Sequence, residues 1–392
     1  MRVIYILSPT IPFGGAAKSL LATVMQLRNS GVTPLIVMPD EGELCSRLRE
    51  NGVEYRVLNY RFGVYPPVHS LKDFVLFVPR LMGRVWLNRS AVKQICSIAE
   101  QFKPDLIHTN VGVLTIGYQA ARRLRIPHVW HIREYGDKHY HYCFYPTNRS
   151  HRQALQDSYT ICISRDLARY NGLEGNERSR VIYNGAVSAK TDKANVQERE
   201  NIFLFIGRIE RGKGLQEMVE AFLRSLPQQK QRHTLLLLGS IEDKPYYEEI
   251  RQSVARAKAE DYVRFTGEIS APAEYIRKAK AVIIPAHYEG FGRVMPETMM
   301  LGTPVIAYNN AGSREQLDNG LQLTGGEIGL RYTTTDQLTN HITSIANSGL
   351  QPLEQMIQRA QQTVRTLYTN EQNASQVLAF YSEILSKRPI ES

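Results

Sequence analysis

The chain has 392 residues, 43% of them hydrophobic, with a mean hydropathy of -0.32, which allows two domains with separate cores. No stretch reaches the ~18 apolar residues of a membrane-crossing helix, and four scattered cysteines (Cys45, Cys96, Cys143 and Cys162) form no metal-ligand pairs and fit free thiols in a reducing, cytoplasmic setting. The net charge of +10 is lopsided: residues 1–190 hold 25 Lys and Arg against 14 Asp and Glu, and the remainder holds 23 against 24. A basic N-terminal half can serve nucleic acid, an anionic membrane face or an acidic substrate, or can simply solubilise the chain.

Residues 1–8 read as an opening strand whose apolar part is too short for a signal peptide. Further strands are expected at 33–38, 55–58, 106–109, 128–132, 160–163 and 180–183. Between the first two, Leu20, Leu21, Val24, Met25 and Leu27 form a helical stripe. Segment 65–93 packs Phe74, Val75, Leu76, Phe77, Val78, Leu81, Met82, Val85, Trp86 and Leu87 beside Lys72, Arg80, Arg84 and Arg89. It is readable as an internal helix pair or as a surface lying in the interface of an anionic membrane. After a polar stretch near 189–199 the alternation restarts, with strands at 202–206, 234–238, 263–265, 281–284 and 304–307 and helices at 215–226, 246–258, 273–278 and 296–301. An amphipathic helix closes the chain at about 371–387. Alternating strands and helices in two blocks argue for two α/β domains with parallel sheets.

Chemistry concentrates where strands end. Glu289-Gly290-Phe291-Gly292-Arg293-Val294-Met295-Pro296-Glu297 follows a buried strand and leads into a helix, so two carboxylates bracket a Gly-rich turn at the carboxyl edge of a sheet. Glu289 and Glu297 can accept hydrogen bonds from hydroxyls on two parts of one polyol ligand, such as a nucleotide sugar. Gly207-Arg208, followed by Lys213-Gly214 at a helix start, places two cations at a strand end, suited to a diphosphate. Gly14 and Gly15 after the first strand allow close backbone approach, but the dinucleotide-binding glycine spacing is missing. Gly312-Ser313-Arg314-Glu315 reads as another loop at the same sheet edge, and His131 ends a strand of the first block.

Together with Lys103-Pro104-Asp105-Leu106-Ile107-His108-Thr109-Asn110, Ile163-Ser164-Arg165-Asp166, Val181-Ile182-Tyr183-Asn184-Gly185-Ala186 and Leu301-Gly302-Thr303-Pro304-Val305-Ile306-Ala307, these motifs occur in an order that resembles the retaining glycosyltransferases of family 4 over nearly the whole chain. The resemblance implies a GT-B fold: two Rossmann-like doubly wound α/β domains facing each other across a cleft. Residues 1–187 would form the acceptor-binding domain, with a C-terminal helix (about 371–392) packing back on it. Residues 188–370 would form the donor-binding domain. It further implies a nucleoside-diphosphate sugar, UDP- or GDP-linked, as co-substrate. Arg208 and Lys213 would hold the diphosphate, Glu297 the ribose and Glu289 the sugar, with Gly290, Phe291 and Gly292 close to the sugar hydroxyls. His131 would contact the sugar near the reacting carbon. Gly14, Gly15, Gly207, Gly239, Glu268 and Arg293 complete the expected donor site. Lys18, Arg133, Lys138 and His139 are the acceptor-side candidates. Arg293 and Thr298 depart from the usual family residues, and Ser313-Arg314-Glu315 matches the family pattern loosely.

No metal or other cofactor is expected, because no Asp-x-Asp motif occurs and two cations stand in its place. The expected reaction is metal-independent transfer of a hexose-type sugar with retention, to a glycan or lipid-linked acceptor in cell-surface polysaccharide biosynthesis. The enzyme would be cytoplasmic, with possible peripheral contact between segment 65–93 and the inner membrane. A sugar-phosphate synthase or nucleotide-sugar epimerase of the same fold is the nearer rival. A catalytically silent nucleotide-sugar-binding protein and a nucleic-acid binder are more distant, since no nucleic-acid motif accompanies the basic charge.

Overall fold

The structure is a computed structural model that describes residues 1–10, 14–68, 70–136, 142–191, 199–269 and 271–387. Two compact units emerge: Met1–Gly185 together with Asn370–Ser392, and Ala186–Thr369. The first contains a seven-stranded parallel sheet of β1 (Arg2–Ile6), β2 (Thr33–Met38), β3 (Glu54–Val57), β4 (Leu106–Thr109), β5 (His128–Ile132), β6 (Tyr159–Cys162) and β7 (Ser179–Val181), in the order β3-β2-β1-β4-β5-β6-β7. The second has six parallel strands, β8 (Ile202–Ile206), β9 (Thr234–Leu238), β10 (Val263–Gly267), β11 (Ala281–Ile284), β12 (Val305–Tyr308) and β13 (Leu330–Tyr332), in the order β10-β9-β8-β11-β12-β13. Each sheet therefore grows outward in both directions from its first strand. The loops that leave the two central strands diverge, which opens a crevice at their carboxyl ends.

Strand β1 shows how a short sequence serves two faces. Val3 and Tyr5 enter a core with Leu20, Val24 and Leu27, while Ile4 and Ile6 enter another with Ala91, Val92 and Ile95, as the two-residue side-chain period requires. The closing helix, Asn370–Ser386, supplies Val377, Phe380, Tyr381 and Ile384 to the first of these cores. Its polar anchor is Asn373, whose Oδ1 lies 2.6 Å from Thr23 Oγ1 and whose Nδ2 donates to Tyr183 O at 2.7 Å.

Three expectations change. Strand β7 stops at Val181, because Tyr183 O turns to the closing helix instead of continuing the ladder. Gly312-Ser313-Arg314-Glu315 is not a loop but part of the first turns of helix Ala311–Thr324. Segment 65–93 forms helix Leu71–Val75 and the first half of the 26-residue helix Phe77–Phe102, which is buried only from Ala91 onward. The description of that segment as a packed internal pair does not fit its exposed surface.

Both tryptophans, Trp86 and Trp130, lie in the first unit, so intrinsic emission follows that unit in denaturant. Phe380 is 3% exposed; Phe380→Ala is expected to cost about 3–5 kcal/mol and to move the urea midpoint read by tryptophan emission to lower concentration, although the substitution is nearly 200 residues beyond the rest of the unit.

Candidate functional site

In the second unit the order reverses between β8 and β11. Beyond β8 the chain passes Gly207 and Arg208 into a short 3-10 turn, Arg211–Lys213, and then helix Leu215–Ser225. Gly214 joins the turn to the helix with φ +68, and a Cβ there would sit 2.2 Å from Pro285 O. Only glycine lets this turn press against the end of β11. The result is that Lys213 Nζ meets Glu289 Oε2 at 2.8 Å, both side chains being largely buried. Burial disfavours the Lys213 charge, but the attraction and hydrogen bond of Glu289 outweigh it and hold the ammonium above its ordinary pKa.

The Glu289 loop is clamped from below. Gly312 N–H donates to Glu289 O at 2.9 Å, and a Cβ on Gly312 would approach that same oxygen to 2.5 Å. Asn310 Nδ2 donates to His287 O at 3.0 Å, and the Gln316 side-chain amide donates to Phe291 O. Phe291 is buried with its ring edge-on to Tyr368 at 5.3 Å, so it anchors the loop through packing. Arg293 Nη2 meets Glu297 Oε1 at 3.0 Å one turn along, and also donates to Ala186 O at 3.2 Å. Arg208, more exposed, pairs with Glu210 at 2.9 Å. Three cations and three carboxylates thus line the loops that follow β8 and β11.

Of the remaining donor-side candidates, Gly239 packs against the Gly207-Arg208 turn, where a Cβ would sit 1.9 Å from Gly207 O, and Glu268 stands apart. Gly239, after β9, donates its N–H to Gly267 O at 2.9 Å. Glu268 is exposed beyond edge strand β10, two strands from β8. Glu210 and the Glu217–His287 pair (2.6 Å) were not singled out by sequence, because isolated surface-type charges carry no local signal. Among the described residues, no group of three or more His, Cys, Asp or Glu is placed to hold a metal ion.

The first unit has its own reversal, between β1 and β4. Gly14 caps and Gly15 opens helix Gly15–Asn29, both exposed, with exposed Lys18 one turn on. Lys138 and His139 lie outside the described residues. Arg133 does not present itself as an acceptor contact: it is buried, with Nε donating to Asn110 Oδ1 at 2.9 Å, Nη1 to Asn184 Oδ1 at 2.5 Å and Nη2 facing His131 Nδ1 at 3.3 Å.

That last contact decides the protonation of His131. A guanidinium only donates, so His131 Nδ1 must accept. Tyr381 Oη lies 2.5 Å from His108 Nδ1, and His108 Nε2 lies 3.1 Å from the same His131 Nδ1. With the Tyr381 hydroxyl donating to His108, the proton of His108 sits on Nε2 and points to His131 Nδ1. Burial, and then the Arg133 charge, push both imidazoles well below their ordinary pKa. His131 is therefore neutral with its proton on Nε2, an N–H that is buried and has no partner among the described residues. It is a donor awaiting an acceptor. His108 and Tyr381 escaped the sequence reading because their roles depend on a helix 273 residues away in the chain.

Long-range 1H–15N spectra are expected to show His131 with a protonated Nε2 and a bare Nδ1 throughout pH 5–8; a titration in that range would contradict the network. The first unit should also be acid-sensitive. His108, His128, His131 and His151 are all held below their ordinary pKa chiefly by burial, His128 to about 3 and His151 to about 4. The unfolded chain protonates them near pH ~6.5 and the folded unit does not, so each withdraws stability as the pH falls below that value. Glu134 acts oppositely: burial raises its folded pKa to about 7, so it gains stability as pH falls from there towards ~4.3. Four groups against one leave a net loss of stability as the pH falls below ~6.5, checked by urea titrations followed through Trp130 emission.

Comparison with known proteins bears on the fold and the family. Residues 14–185 match the family model of the glycosyl transferase 4-like domain, and residues 188–363 match that of glycosyl transferases group 1. Alpha-monoglucosyldiacylglycerol synthase of Streptococcus pneumoniae is 30% identical over 247 residues, 54% of each chain. N-acetyl-alpha-D-glucosaminyl L-malate synthase of Bacillus anthracis is 26% identical over 212 residues, 53% of this chain and 51% of that one. The chain thus spans about half the length of these relatives. The structure of Anabaena HepE in complex with UDP and glucose superposes with a TM-score of 0.75 at 19% identity, covering 98% of this chain and all of the other. With both of its units matched by family models and its fold shared over nearly its whole length, the chain belongs to the GT-B glycosyltransferases of the group 1, family 4-like type.

Proposed function

We propose that the chain is a retaining glycosyltransferase that moves a hexose-type sugar from a nucleoside-diphosphate sugar, UDP being favoured over GDP, to a glycan or lipid-linked acceptor in cell-surface polysaccharide synthesis. The observation that carries this reading is the Lys213–Glu289 contact beside Arg208 at the β8–β11 reversal. A diphosphate entering there competes with Glu289 for Lys213, which frees the carboxylate to accept hydrogen bonds from sugar hydroxyls. Anabaena HepE, solved with UDP-glucose, supports the choice of donor. The S. pneumoniae relative, named as a glucosyldiacylglycerol synthase, supports a lipid-borne acceptor.

In this reaction the bond between the anomeric carbon and the diphosphate breaks first, with the electron pair leaving on phosphate. Arg208 and Lys213 stabilise that growing charge, a role metal ions fill elsewhere. The acceptor oxygen attacks from the face the phosphate leaves, and its proton passes to the departing phosphate oxygen, so no side-chain base is needed. The His131 Nε2–H is a donor for a substrate hydroxyl, and Glu297 holds the ribose once Arg293 yields part of its contact.

Thermal unfolding of the second unit is the test. UDP at 100 times its dissociation constant should stabilise that unit by about 2.7 kcal/mol, with or without Mg²⁺, and the shift should vanish in Arg208→Ala and Glu297→Ala. Glu289→Gln should retain UDP binding while slowing transfer about a hundredfold or more. If no nucleoside diphosphate raises the melting temperature, the donor site is wrongly placed.

A further inference from the structure

Segment 70–93 presents an apolar face that no described residue covers. Leu71, Phe74 and Val75 on helix Leu71–Val75 are 68–80% exposed, and Val78, Met82 and Trp86 on the following helix are 60–68% exposed. These six are the most exposed large hydrophobic side chains of the described residues. Their spacing is not random. Val78, Met82, Trp86, Arg89 and Lys93 succeed one another at intervals of four, four, three and four residues, which keeps them on one side of the helix. The side that enters the core carries Ala91, Val92, Ile95 and Ala99 instead. The exposed side is therefore apolar at its N-terminal end and cationic at its C-terminal end.

The rest of the segment fixes this face in place without covering it. Phe77 stacks on Tyr65 at 5.9 Å, Arg84 Nη1 donates to Val64 O at 3.1 Å, and Arg80 pairs with Asp73 at 2.6 Å. Asp73 is the only carboxylate between residues 55 and 99 and is already engaged, so Lys72, Arg89 and Lys93 remain as an uncompensated positive fringe. Trp86 precedes Arg89 and Lys93 by one and two helical turns, about 5–10 Å along the axis. An interfacial helix lies in the membrane plane with such a face turned to the headgroup–acyl boundary, where cations on the same side meet lipid phosphates beside the buried apolar residues.

We propose that this face is a docking surface for an anionic lipid bilayer: Leu71, Phe74, Val75, Val78, Met82 and Trp86 enter the boundary of the acyl region while Lys72, Arg89 and Lys93 meet lipid phosphates. Charge argues against a second copy of the chain as the occupant. The same face on a second copy would offer Lys72, Arg89 and Lys93 no carboxylate but Asp73, which is already paired with Arg80, whereas an anionic surface attracts each of them by about 1 kcal/mol. No helix of the described residues is long and apolar enough to cross a membrane, so the contact is peripheral. It stands independently of which sugar or acceptor the enzyme uses.

The experiment uses the full chain without donor or acceptor. Trp130 is fully buried and Trp86 is exposed, so lipid-induced emission changes report Trp86. Flotation with vesicles of phosphatidylglycerol and phosphatidylcholine should carry the protein, with blue-shifted emission and quenching by brominated acyl chains, while pure phosphatidylcholine should bind at least tenfold more weakly. Val78→Glu/Met82→Glu should reduce binding to anionic vesicles at least tenfold. Arg89→Glu/Lys93→Glu should abolish the preference for anionic lipid. All four positions are exposed, and unchanged UDP-induced stabilisation in both variants would show that the fold and donor site are intact. Absence of binding to anionic vesicles, binding without a Trp86 response, or a concentration-dependent dimer that shifts Trp86 emission without lipid would overturn the proposal, the last by giving the face to a second copy.

Discussion

Lys213 and Glu289 are 76 residues apart in sequence and 2.8 Å apart in space, and the donor-side geometry depends on what holds them there. Parallel pairing of β11 with β8 sets the coarse distance. Two close backbone approaches then set the fine one: Gly214 against Pro285 O, and Gly312 against Glu289 O. Side chains at either glycine would force the loops apart by more than a hydrogen bond tolerates. The ion pair itself is preorganised, because both partners are largely withdrawn from water and the charges reinforce each other where solvent screening is weak. Under the proposed function, a diphosphate arriving at this place would meet a cation already positioned, with no flexible side chain to order first.

The first unit solves a different electrostatic problem. A buried arginine is costly unless its donors are all met, and Arg133 is surrounded by the amide oxygens of Asn110 and Asn184 and by His131 Nδ1. Those neutral acceptors satisfy the guanidinium, and burial, reinforced by its charge, keeps the neighbouring imidazoles unprotonated. The closing helix completes the chain of hydrogen bonds through Tyr381. Residues from β4, β5 and the end of the chain thus fix one proton on one ring nitrogen, which is the kind of outer support that orients a reactive group.

Local patterning made much of the architecture legible. Strand β1 alternates between two cores, β8 and β11 are short apolar runs, and Glu289, Glu297, Arg208 and Lys213 all flank strand ends, where ligands bind in open α/β sheets. Strand β13 was missed because three residues are too few to display a period. The helical start at Ala311 was missed because Gly-Ser usually signals a loop, and only the contact with Glu289 O shows why glycine is needed inside a helix there. Arg133, a charged residue beside a strand, looked like a surface contact until its burial was known.

Segment 65–93 marks the boundary between the two kinds of information. Its composition contains both an apolar stripe and basic residues, and composition cannot say whether such a stripe is covered, since burial depends on which elements the chain brings over it. The sequence by itself determined the two α/β blocks, the charged residues at the strand ends and the family they resemble, because these follow from short-range periodicity and spacing. Tertiary structure alone decided that Lys213 pairs with Glu289, that His131 carries its proton on Nε2 and that the face of Val78, Met82 and Trp86 lies open. Each of these is set by contacts, or their absence, between segments far apart in the chain, and such contacts leave no local periodic signal.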